Sequence, residues 1–468
     1  MPKYDAVVVG AGPNGLAAAV HLTRAGKRVL VVEGADEIGG GTRTEELTLP
    51  GFLHDVCSAI HPLGAGSPFF RDAGAGLEWI HPEVPVAHPL GDGRSAGLLR
   101  DLDESARRFG SDEARYRRVM GPLVANADEI FEDFLRPVRI MPRHPGSFAR
   151  FASRALLPAS RLIASFETDE TRAVFSGMAA HAIAPLNSLF TGGVALLFAA
   201  TVHAFGWPMA QGGSQQISQA LARVVIAGGG SIETGHRVSS LDEFDGASFF
   251  LLDVMPNAAI KLAGDRLALG AERRLAARKH GPGSFKVDWA LGEPIPWMDE
   301  LSRRAGTVHV GGRFEEVMAA EQQVSSGTHP DQPFVLVAQQ TLADPTRAPQ
   351  GQHTAWGYCH VPSGSTSDMT DAIESQIERF APGFRDIILD RHTMNTADLE
   401  NHNPNYVGGD IAGGNFGLKK LMQFGNRRPY RIGDRVFICS SATPPGGGVH
   451  GMCGYYAAEA ALSSLATR

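Results

Sequence analysis

Cysteine is scarce: the 468-residue chain has four, Cys57, Cys359, Cys439 and Cys453. None forms a CxxC pair, which argues against a disulfide framework and a zinc site, suits a reducing cytosol and leads us to expect no metal. Excess positive charge is lacking too. Lys and Arg number 43 against 50 Asp and Glu, a net charge of −7, so nothing advertises nucleic-acid binding. Long apolar runs are missing. The longest stretch, Leu189 to Phe205, falls short of the roughly 20 residues a membrane span needs. Gly192, Gly193 and His203 interrupt it, so a buried helix or a substrate-channel wall is expected. No signal peptide is expected, since Val7 to Val9 is far shorter than the apolar core of one. Repeats and low-complexity linkers are absent as well.

What is abundant is glycine, 55 of 468 residues, above the usual ~7%. Such an excess points to tight turns and close backbone approaches to a ligand. The informative glycines come early, in Gly10-Ala-Gly12-Pro-Asn-Gly15, directly after the apolar run Ala6 to Val9. The run reads as a buried parallel strand. Gly10 makes the turn, Gly12 lets backbone approach a pyrophosphate, and Gly15 lets the next helix pack on the strand. That helix, from Leu16 to Ala25, directs a positive dipole end at phosphate. Arg28 to Glu33 is a second strand ending in an acid that can accept hydrogen bonds from ribose hydroxyls. Strand, glycine turn, helix, strand and acid in this order specify a dinucleotide site far better than the glycines alone.

The next segment bears on which dinucleotide. Gly39-Gly40-Gly41-Thr-Arg43 follows the acid closely, an arrangement that a plain NAD dehydrogenase does not need. Flavoproteins often place a glycine pair and an arginine here, closing over the pyrophosphate. Arg43 suits bidentate bonding to phosphate, with capping of a surface loop as its alternative. At the other end of the chain Pro444-Pro-Gly-Gly-Gly-Val-His450-Gly lies between the strand Arg435 to Ser440 and an alanine-rich helix from Met452 to Leu465. Backbone N–H groups of Gly447, Gly448, Val449 and Met452 are expected at the flavin's pyrimidine edge, where the helix dipole favours the charge of the reduced form.

Between the two turns, helices are expected from Glu104 to Ala204. Histidines 181 and 203 sit in apolar surroundings and read as satisfied core residues. Ser214 reads as the N-cap of a helix reaching Ala227. Strand patterns at 248–254, 284–291, 307–310, 333–338 and 353–361 suggest the sheet of a second domain.

With both ends read, the chain resembles the phytoene desaturase-like FAD oxidoreductases, and within them the phytoene dehydrogenase-related, pyridine-nucleotide-disulphide oxidoreductase domain 2-like branch. The resemblance rests on Val8 to Gly15, Gly206 to Ser214, Asn405 to Ile411 and Pro444 to Gly451. It implies an α/β fold: a Rossmann-like FAD-binding domain from 1–65, 205–245 and 405–468, with a discontinuous mixed α+β substrate domain from 66–204 and 246–404. It implies that the backbone at Val238 pairs with the adenine. It also implies hydride transfer from a hydrophobic substrate, isoprenoid or acyl, to flavin N5. The stretch after Val238 is shorter than in true carotenoid desaturases, which argues against phytoene itself.

A base within hydrogen-bond reach of the substrate would complete a desaturation. His450 is a candidate because it sits in the flavin-edge turn. Lys286 is another, on an apolar strand, with an edge-strand lysine facing water as its alternative. Asp410 and His61 rank below them. Two other readings stay open, a flavin amine oxidase reoxidised by O2 and a non-enzymatic flavoprotein or interaction scaffold. Since a lipid substrate must be fetched, peripheral membrane contact is also open.

Overall fold

The computed structural model describes residues 4–137, 142–244, 246–414 and 428–466. Two sheets organise it. The first has five parallel strands in the order Val436–Ile438, Phe249–Leu252, Ala6–Val9, Val29–Val32 and Ser231–Glu233. Its three central strands are wholly buried, which is why they read as unbroken apolar tetrapeptides rather than as alternating ones. Each fully buried valine or leucine there contributes about 1.5–3 kcal/mol.

The helix Pro13–Arg24 follows the first strand, with proline at its first position, where the missing N–H costs nothing. It packs along the C-terminal helix Met452–Ala466. Gly454 makes this closeness feasible, because a Cβ there would stand 1.9 Å from the Asn14 carbonyl oxygen. The two ends of the chain are thereby clamped side by side.

The second sheet has seven strands in the order Ile388–Met394, Gly283–Leu291, His353–Val361, Val335–Ala338, Ala305–Val310, Val84–Pro89 and Ser95–Leu98. Only the pairing of Ala305–Val310 with Val84–Pro89 is parallel. Its core gathers Trp289, Trp297, Phe380 and Phe384. The stretch expected to be helical contributes Ala127–Phe134, Pro145–Ala155, Asp169–Ala180 and Thr191–Ala204, among others.

Two expectations need correction. Phe249–Leu252 does not belong to the second sheet. It pairs in parallel with Ala6–Val9, and the chain after it packs Ala259, Ala263 and Leu275 against the nucleotide sheet. The boundary at 246 is therefore misplaced for this stretch, because a fully apolar run of four carries no sign of which sheet will bury it. Of the 405–468 segment, 415–427 and 467–468 lie outside the described residues. The second correction concerns Ser214, whose side chain does not cap the helix Gln215–Ala227. Its hydroxyl meets His61 Nε2 at 2.9 Å. The helix start is served instead by Asp55 Oδ1, accepting from Ser214 N at 2.8 Å, and Thr44 Oγ1, accepting from Gln215 N at 3.1 Å.

Candidate functional site

The strand register brings three features level. Val9 stands opposite Val32 on one side and Leu252 on the other. Gly10, Glu33 and Asp253 therefore emerge together at the carboxyl ends of adjacent strands, the usual ligand side of a parallel sheet. Glu33 accepts the Ala11 N–H at 2.7 Å and the Ala35 N–H at 3.0 Å, one on each oxygen. Each oxygen keeps a second lone pair for a hydroxyl donor.

Asp253 lies behind the turn and accepts the Gly15 N–H at 2.8 Å. Burial, reinforced by the Glu33 charge, pushes its carboxyl up to about 7 against the pull of that N–H. The turn is glycine-rich largely on its account. A Cβ on Gly10 would meet the Asp253 carbonyl oxygen at 2.9 Å, and one on Gly12 would meet its Oδ2 at 2.9 Å. A Cβ on Gly15 would fall 2.1 Å from the Gly10 carbonyl oxygen, so this glycine is what lets helix and strand meet. Asp253 was missed in the sequence, although Phe249-Phe-Leu-Leu-Asp253 repeats the apolar-strand-then-acid pattern of Val29-Leu-Val-Val-Glu33.

A cavity of about 1060 Å³ opens from this turn. Gly10, Gly12, Glu33, Arg43 and Val238 line one end, Gly40 and Gly41 the adjoining wall, and Gly447, Gly448, Val449 and His450 the middle. Several polar groups here lack partners. The Arg43 Nε is buried without a hydrogen bond, although its Nη2 donates to the Glu37 carbonyl at 3.1 Å. The backbone of Val238 and the N–H groups of Gly12, Gly447, Gly448 and Val449 make no hydrogen bond among the described residues. Val449 also holds φ 52°, a left-handed conformation costly for a β-branched residue. Unpaired N–H donors, a guanidinium and a helix N-terminus in one concave wall fit the phosphates and carbonyls of a flavin dinucleotide.

Met452 and His450 are placed differently from expectation. The Met452 N–H donates to His450 Nδ1 at 3.0 Å, so it is not free for a flavin, and its side chain is buried. His450 Nε2 in turn meets the Gly446 carbonyl at 3.0 Å. Burial lowers this imidazole to about 4. With both ring nitrogens engaged it braces the turn and has no lone pair to offer as a base.

Lys286 is neither an edge residue nor a wall of the cavity. It sits on a strand paired on both sides and is 3% exposed. Its ammonium is bonded to Asp288 and lies 5.7 Å from the Trp356 ring, which itself lines the cavity. His54 and His392 flank the same carboxylate, each at 3.7 Å. Asp410 is buried and accepts N–H groups of Gly281 and Ala412, at 2.7 and 2.9 Å. His61 is enclosed with its Nε2 on Ser214. Both are structural.

Beyond the turn the cavity continues between helices. Phe134, Phe148, Phe151, Phe190, Leu197 and Phe198 wall this arm, so the Thr191–Ala204 helix is both buried and a channel wall. Its charged pair, Asp133 and Arg136, is joined at 2.8 Å, and Asp133 also accepts the N–H groups of Arg143 and His144. His181 lines the arm rather than the core, its Nε2 3.0 Å from His309 Nε2. The pairing joins a helix end to a strand 128 residues away, so nothing in the sequence announces it.

The family described as flavin containing amine oxidoreductase matches residues 14–253, which begin inside the glycine turn, at Asn14, and hold Gly15, both acids and Val238. The chain belongs to this family. It is an FAD-dependent oxidoreductase of the phytoene desaturase-like branch. Rat pyridine nucleotide-disulfide oxidoreductase domain-containing protein 2 is 25% identical over 99% of this chain and 94% of its own length. Phytoene dehydrogenase of Streptomyces griseus is 27% identical over 75% of this chain and 72% of its own. Cyclohexylamine oxidase of Brevibacterium oxydans shares the fold, with a TM-score of 0.62 at 17% identity over 99% of this chain and all of that one.

Proposed function

We propose that this FAD oxidoreductase dehydrogenates a hydrophobic substrate, of isoprenoid or acyl type. The observation that carries the reading is the continuity of the cavity from the glycine turn into an arm walled by phenylalanine and leucine. In this reading Gly10, Gly12, Gly15, Gly40, Gly41 and Arg43 hold the pyrophosphate, Glu33 the ribose and the Val238 backbone the adenine. Gly447, Gly448 and Val449 present N–H groups to the flavin. FAD supplies a hydride acceptor when bound.

The residues of the arm exclude water and orient an apolar chain. An amine would find no spare carboxylate there, because the oxygens of Asp133 already hold a guanidinium and two backbone N–H groups. His181 takes the proton. Burial lowers it to about 3, so it stands neutral and its Nδ1 makes no hydrogen bond among the described residues. A C–H bond beside a carbon that has lost a hydride is strongly acidic, so a weak base suffices.

Anaerobic mixing of the flavin-loaded protein with isoprenoid and acyl compounds should bleach the flavin absorbance band. His181→Ala should slow that bleaching ~100-fold at unchanged flavin content. Bleaching by hydrophobic amines with peroxide release, and by no lipid, would replace this reading with the amine oxidase one.

A further inference from the structure

The arm of the cavity comes to the surface beside an unusual patch. Leu156 lines the cavity and is nevertheless 52% exposed, so the arm opens where it stands. Leu157 and Leu189 are also exposed. The three form one cluster: Phe190 N donates to the Leu156 carbonyl at 3.3 Å and Gly192 N to that of Leu157 at 3.1 Å. Only seven large apolar side chains are well exposed among the described residues. Three of them meeting at the cavity mouth argue for a shared purpose.

The sequence that carries two of these leucines has charge of one sign. From Phe134 to Phe166 the sequence carries six arginines and no aspartate or glutamate, within a chain of net charge −7. Arg150 and Arg161 are exposed and Arg154 half-buried, and none of the three makes an ion pair among the described residues. On the helix Pro145–Ala155, Phe151 and Ala155 turn inward while Ala149, Arg150 and Ser153 face water. Leucines at a mouth, with unpaired arginines on the helices just before and just after Leu156 and Leu157, match a bilayer carrying anionic headgroups. No helix among the described residues is long and apolar enough to cross a membrane, so the contact is with the surface.

We propose that Leu156, Leu157 and Leu189 insert into the headgroup layer of an anionic membrane, with Arg150, Arg154 and Arg161 binding its phosphates, so that the mouth of the arm faces the lipid. That the mouth draws its substrate from this lipid rests on the function proposed above; the docking does not.

Sedimentation of the flavin-loaded protein with vesicles separates the two. Vesicles of phosphatidylcholine with about a third phosphatidylglycerol should bind the protein, with binding lost in high salt, and phosphatidylcholine alone should bind it weakly. Reversal of Arg150, Arg154 and Arg161 to Glu should weaken partition about a hundredfold. Leu156→Ser combined with Leu157→Ser and Leu189→Ser should abolish binding at unchanged flavin spectrum and melting temperature. Failure to bind anionic vesicles, or binding that both variants retain, overturns the proposal. So does a dimer in solution that the leucine variant splits, since a second copy would then cover the patch. Docking without flavin bleaching by any lipid would instead overturn the substrate reading and leave the docking in place.

Discussion

Side chain by side chain, the nucleotide turn works by setting two acids apart. Glu33 and Asp253 leave at the same level from the two strands that flank Ala6–Val9, and Asp253, the more enclosed, keeps its proton up to about 7. The folded protein thus holds a proton between about pH 4 and 7 that the unfolded chain releases. The stability this adds is full below about 4 and lost as pH rises to 7. Asp253→Asn, which can still accept the Gly15 N–H, should remove that dependence. Above pH 7 it should exceed the natural protein in stability by on the order of 2–4 kcal/mol and retain FAD better. Thermal melts and flavin release on either side of neutrality read both effects. An unchanged pH profile would show that Asp253 does not titrate there. Lys286 makes a different prediction. Removing its charge strands Asp288 in the core, so Lys286→Met should lose about 3–5 kcal/mol by denaturant unfolding. The double variant with Asp288→Asn should recover much of the loss, whereas a catalytic lysine would not be rescued.

Among elements, the pairing of the first helix with the last decides whether both glycine turns face one cavity. Gly454 sits against backbone, with a Cβ there 1.9 Å from the Asn14 oxygen and 2.8 Å from the Ala18 nitrogen. Neither neighbour can rotate away. Gly454→Ala should push the two helices apart, at a cost of about 1–3 kcal/mol, and lower the flavin content of purified protein. The same change at Gly26, where a Cβ meets nothing within 4 Å, should leave the flavin in place, subject only to its positive φ.

For the whole molecule, buried histidines set the acid limit. His54, His61, His88, His203 and His450 are lowered by burial to about 4 and His181 to about 3. Each is neutral when folded and protonated near 6.5 when unfolded. Their stability contribution is therefore complete above about 6.5 and lost as pH falls toward 4. The slope is roughly 1.4 kcal/mol per pH unit for each proton taken up. Six imidazoles outweigh the opposite slope of Asp253 over the same range. Acidification from pH 6.5 to 4.5 should sharply lower the melting temperature, with calorimetry reporting uptake of several protons on unfolding.

The features legible in the sequence are those that consecutive residues determine. A glycine turn after an apolar strand, an acid closing the next strand and a second glycine turn before a helix are local geometry, and they point to FAD before any contact is known. Tertiary structure alone decided the rest. It brought Phe249–Leu252 into the nucleotide sheet and Asp253 behind the turn. It buried Lys286 against Asp288 and spent both nitrogens of His450. It also set His181 beside His309 in the cavity wall. Each of these depends on a partner far along the chain, chosen by burial and by which face is left to close. A residue's own neighbours carry no record of that choice.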